Sequence, residues 1–135
     1  MIREIKNVKQ KVHGQFRRWF TDEDMDLFVW FKNHVPVSFQ LSYNKQGQEK
    51  AICWNTEDGF QIYTVDNGES NPLEYKMTPL YQPDIDFRSH EVARSFLLKS
   101  EYLEPSLADF IYARLLECPQ HGNKHLSQDA VSNSL

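Results

Sequence analysis

The chain has 135 residues, 40% of them hydrophobic and 13% aromatic, and a net charge of −4. That is the length of one domain with enough apolar mass for a core. It holds no apolar run near the roughly 18 residues of a membrane span and no leader-like start, and its two cysteines, Cys53 and Cys118, make no disulfide framework. These features point to a cytoplasmic protein with no membrane partner.

The charge is unevenly placed. Arg3, Lys6, Lys9, Lys11, Arg17 and Arg18 meet only Glu4 in the first 20 residues, and the acidic excess lies beyond them. A basic arm of this kind either lies on its own acidic body or reaches for an acidic partner. Nucleic acid is not expected, because the arm has no aromatic residue before Phe16 for a base to stack on.

In chain order, Ile2, Ile5, Val8 and Val12 recur at helical spacing, so the spacing predicts a short amphipathic helix within a basic arm over 1–14. Strands follow over 15–20, 26–32, 35–43, 49–55 and 60–65. They are separated by the turn-forming clusters Asn33-His34, Asn44-Lys45-Gln46-Gly47 and Glu57-Asp58-Gly59. A sixth strand is expected over 73–78, after Asn67-Gly68, and Pro72 suggests an edge position for it. Pro79 and Pro83 mark an extended connection. Helices are expected over 90–103 and from Pro105 to the Cys118-Pro119 break. The expected fold is α+β: an antiparallel meander of five or six strands, with two C-terminal helices packed on one face. The single domain spans 15–118, and 119–135 is a polar tail.

A two-residue turn at Asn33-His34 sets Trp30 opposite Val37 and Phe28 opposite Phe39. One face would then carry Phe28, Trp30, Val37, Phe39, Leu41, Tyr43, Ile52, Trp54, Tyr63 and Val65 as a core. The other would carry Leu27, Val29 and Phe31 as an apolar stripe among Ser38, Gln40, Ser42, Ala51, Cys53, Ile62 and Thr64. Such a stripe needs a cover: the N-terminal helix, a second copy or a ligand.

No motif assigns a reaction. The acidic run Asp22, Glu23, Asp24 and Asp26 has Leu27 and Asn33 where a calcium loop needs glycine and glutamate, and reads as a turn. Cys118, His121 and His125 lack a fourth ligand for zinc. There is no nucleophile elbow and no glycine-rich phosphate loop. Arg18, Asp26, Gln40, Asp66 and Glu69 are the polar candidates for a binding site, beside Leu27, Val29 and Phe31. No cofactor and no metal site are expected.

The strings RRWF with Asp22, Asp26-Leu27, Val29-Trp30, Phe39-Gln40-Leu41 with Tyr43, Ala51 with Trp54, and Val65-Asp66 before Gly68-Glu69 resemble a family of small, uncharacterised bacterial proteins. The likeness covers roughly residues 17 to 80 and brings no activity or catalytic residue with it. Asn67 departs from its pattern, which has an acidic residue there. The expectation for function is a non-catalytic bacterial binding or interaction domain whose partner is itself or another protein. The alternative is a small enzyme with a cleft of Asp26, Gln40, Asp66 and Glu69.

Overall fold

The computed structural model describes residues 1–10, 13–66, 76–79 and 89–118. The chain divides into two compact units, Met1–Leu80 and Tyr81–Leu135. The boundary falls in the proline-flanked connection that the sequence marks as extended. No helix among the described residues is long and apolar enough to cross a membrane.

The first unit is an antiparallel meander of seven strands, each hydrogen-bonded to the next in chain order: β1 (Arg3–Ile5), β2 (Phe16–Thr21), β3 (Asp26–Lys32), β4 (Val35–Tyr43), β5 (Lys50–Asn55), β6 (Gly59–Asp66) and β7 (Lys76–Pro79). The α+β class and the meander agree with the sequence expectation, and β3 and β4 begin and end where it places them. The N-terminal segment departs from it. Residues 3–5 form an edge strand against β2, with Ile5 opposite Trp19, and not a helix. The available strand edge and the burial of Ile2, 0% exposed, outweigh a weak helical spacing.

The β3–β4 hairpin decides which side chains share a face. Asn33 and His34 both have positive φ, 52° and 67°, as a tight two-residue hairpin turn requires. Next to the turn, Lys32 faces Val35 and Phe31 faces Pro36, as the turn dictates. The register then shifts at Trp30/Phe31, so Trp30 faces Ser38, Val29 faces Phe39 and Leu27 faces Leu41. Val37 is the extra residue of a β-bulge. Pro36 has no N–H to give to a ladder, and prolines inside sheets settle beside such bulges.

A one-residue slip moves a whole strand's side chains to the other face. Phe28 and Trp30 therefore leave the expected core face, and Leu27, Val29 and Phe31 join Phe39, Leu41, Ile52 and Trp54 on it. In β6 the pairing Ile52–Ile62 and Ala51–Tyr63 likewise reverses the expected faces of Ile62 and Tyr63. The face that carries Leu27 and Val29, both 0% exposed, also buries Phe20, Phe39, Leu41 and Ile52. The apolar stripe is core.

The second unit contains α1 (Ser89–Leu98) and α2 (Pro105–Glu117). Pro105 opens α2, where its missing N–H costs no hydrogen bond. Helix α1 stops short of the expected residue 103 because the Leu97 carbonyl is taken by both the N–H and the hydroxyl of Ser100, at 3.2 and 2.8 Å. Ala93, Phe96, Leu107, Ile111 and Leu115 are buried. The Cys118 thiol, also buried, is pushed up to about 12 by desolvation.

Candidate functional site

The second face of the sheet is mixed. Cross-strand pairing and alternation set Trp19, Phe28 and Trp30 in a row on it, followed by Gln40 opposite Phe28 and Cys53 opposite Gln40. The Trp19 and Phe28 rings are stacked, with centroids 5.4 Å apart, and Phe28 and Trp30 are tilted at 6.1 Å. The Arg17 guanidinium lies 5.4 Å from the Phe28 ring centre. None of Trp19, Phe28, Trp30, Gln40 and Cys53 is fully buried. Cys53 is close enough to donate weakly to Gln40 Oε1, at 3.9 Å. Burial pushes its thiol up to about 11, so it stays protonated and a poor nucleophile at neutral pH.

At one end of this face the aromatic row runs into a buried polar cluster. Asp26, 4% exposed, accepts at Oδ1 from Trp19 Nε1 at 3.3 Å, from Lys45 Nζ at 3.2 Å and from the Thr21 hydroxyl. Lys45 Nζ also donates to the Asp22 carbonyl at 2.7 Å. The β4–β5 loop that carries Lys45 thus lies on the β2–β3 turn, and the Lys45 N–H donates to the Asp24 carbonyl at 3.3 Å. That turn is closed by the Asp22 carboxylate, which accepts from the Asp24 and Met25 N–H groups at 2.8 Å each. The acidic run is the turn that its sequence suggests.

Glu49 and Ser42 belong to the same cluster; alternation already sets Ser42 on the face of Gln40, but Glu49 was not among the sequence candidates. Ser42 stands opposite Asp26 and is 1% exposed; Glu49 is 4% exposed. Among the described residues neither the Ser42 hydroxyl nor Glu49 Oε2 has a hydrogen-bond partner. Desolvation first, and the Asp26 charge second, raise the Glu49 carboxyl above its ordinary value, while Lys45 pulls it partly back. The signal that could have found Glu49 is the loop length. Tyr43 pairs with Lys50, so the loop runs over 44–49, two residues longer than the four-residue cluster implies, and it turns Glu49 inward.

Of the sequence-chosen residues that are described, Asp26 and Gln40 share this face. Arg18, Leu27, Val29 and Phe31 lie on the opposite, core face. There Arg18 pairs side-on with Glu4 at 2.7 and 2.8 Å and lies 5.0 Å from the Phe20 ring centre. Asp66 ends β6, but its side chain, like all of Glu69, lies outside the described residues, as does the 119–135 tail. Among the described residues no group of three or more His, Cys, Asp or Glu could hold a metal ion. Compared with family models, curated proteins and solved structures, the chain matches none.

Proposed function

We propose that this chain is a non-catalytic binding domain of the bacterial cytoplasm, and that the face of Trp19, Phe28, Trp30 and Gln40 is its contact surface for another protein or a second copy. One observation carries this reading: three neighbouring aromatic side chains, Trp19, Phe28 and Trp30, all stay half-buried side by side on one face, while Phe20, Leu27, Val29, Phe39, Leu41 and Ile52 are buried on the other. Trp, Arg and other side chains with an apolar body and a polar tip are the ones that supply most of the energy in protein contacts. The Asp26 carboxylate, tied to Trp19, Thr21 and Lys45, acts as the anchor that holds the end of the row in place. Two cysteines without a disulfide fit a reducing compartment. The likeness to small bacterial proteins belongs to the same proposal.

The competing reading is a small enzyme, and Glu49 speaks for it. Two carboxyl groups in unequal environments are a common acid–base arrangement. Against it stands the hold of three donors on Asp26 Oδ1.

The test is a pair of tagged chains, wild type and Trp30→Ala/Gln40→Ala, recovered from the native cell and compared by sedimentation. Both sites are part-exposed, so the variant is expected to keep its fold and thermal midpoint within a few degrees. The wild type is expected to self-associate or carry a defined partner that the variant loses. The same partner and the same mass on both chains would refute the reading.

A further inference from the structure

Strand β1 ends at Ile5, but β2 continues past it to Phe16. Arg3 faces Thr21 and Ile5 faces Trp19. Thr21, Trp19 and, by alternation, Arg17 therefore present their N–H and C=O to the outer edge. The residue next in line to face Arg17 is Asn7, whose φ of 61° bends the chain out of the strand. The side chain of Gln10 fills the gap. Arg17 N–H donates to Gln10 Oε1 at 2.7 Å, and Gln10 Nε2 donates to the Arg17 carbonyl at 2.9 Å. These are the two bonds that a strand residue would make there. An exposed glutamine amide is thus standing in for a strand.

The side chain of Arg17 points to the chemistry of what would replace it. Its Nη2 donates to the Lys9 carbonyl at 2.7 Å, on the same arm as Gln10, while its Nε is buried with no acceptor among the described residues. A carboxylate takes Nε and Nη2 together, side-on, and a charge-assisted pair is stronger than a bond to a neutral carbonyl. Exposed Lys6 and Lys9 add to the positive field of this edge. The rest of β1 need not move, because Ile2 and the Glu4–Arg18 pair hold it in place.

We propose that the β2 edge at residues 16–18 docks a short, extended, acidic segment of another protein, which displaces residues 6–10, pairs with the Arg17 backbone in place of Gln10 and sets a carboxylate on the Arg17 guanidinium. This is strand addition to a sheet edge, with the glutamine as a removable plug. The Arg17 guanidinium also lies against Phe28 of the aromatic face, but the docking rests on the Arg17 backbone edge and the Gln10 side chain, so variants at Gln10 and at Trp30/Gln40 test the two proposals apart.

The probe is the capped peptide Thr-Glu-Val-Glu-Val-Glu-Thr, with a counterpart carrying lysine for glutamate, titrated into the full ¹⁵N-labelled chain. The acidic peptide is expected to shift the backbone amides of residues 6–10 and 15–19. It should bind Gln10→Ala about tenfold more tightly than wild type, because the two plug bonds together oppose it by about 1.4 kcal/mol. Should the alanine variant lose its dispersed spectrum, Gln10→Ser, whose side chain is too short to reach both the N–H and the carbonyl of Arg17, gives the same readout. Equal binding of the lysine peptide, equal affinity for wild type and plug variant, or no shift at residues 15–19 at millimolar peptide would each overturn the proposal.

Discussion

Glu49 lies almost wholly out of solvent, with one oxygen unpartnered and the Asp26 carboxylate acting on it. Its folded pKa is raised above the unfolded value near 4.5. The native state therefore binds the Glu49 proton more tightly than the unfolded chain, and stability is lost as pH rises from the unfolded pKa through the folded one. Glu49→Gln keeps the shape of the protonated carboxyl and removes the titration. In urea melts at pH 4 and pH 7, the variant is expected to gain on wild type as pH rises. Parallel curves across that window would show that Glu49 is not held in its neutral form.

The β3–β4 hairpin shows how a small local feature redirects a whole element. The turn chemistry of Asn33-His34 was readable, and so were the ends of both strands. What a turn-based count missed was the bulge, although Pro36, two residues past the turn, was the warning. Without the shift, Val29 would belong to a partly covered stripe; with it, Val29 is 0% exposed and faces Phe39. Val29→Lys is therefore expected to cost about 3–5 kcal/mol in chemical denaturation, the scale for an uncompensated buried charge. A folded variant with wild-type stability would return Leu27, Val29 and Phe31 to the surface and invalidate the register. The N-terminal arm teaches the same lesson. Ile2, Ile5 and Val8 fit a helix by spacing, yet three residues beside an open strand edge become a strand, because pairing outside the segment outweighs its own periodicity.

Across the whole chain, hydrophobic runs and turn residues revealed the number and order of the elements, because these depend on local chemistry. The candidate site depended on register, loop length and which side chains meet across strands. Asp26 and Gln40 were chosen as polar residues in strands and do share a face. Ser42 already shared the face of Gln40 by alternation, but Trp19, Phe28 and Glu49 could join them only after the bulge and the six-residue loop were known. Arg18 was separated from them by simple alternation. The central claim is that the aromatic face, not the Leu27–Val29 face, meets a partner. Hydroxyl-radical labelling read by mass spectrometry tests it most directly, comparing the purified chain in dilute solution with the same chain inside its native cell. Trp19, Phe28 and Trp30 are expected to be protected in the cell, while Leu98 and Tyr102, 69% and 50% exposed elsewhere on the chain, label equally in both settings. Equal labelling of all three aromatic residues in the two settings would contradict the account.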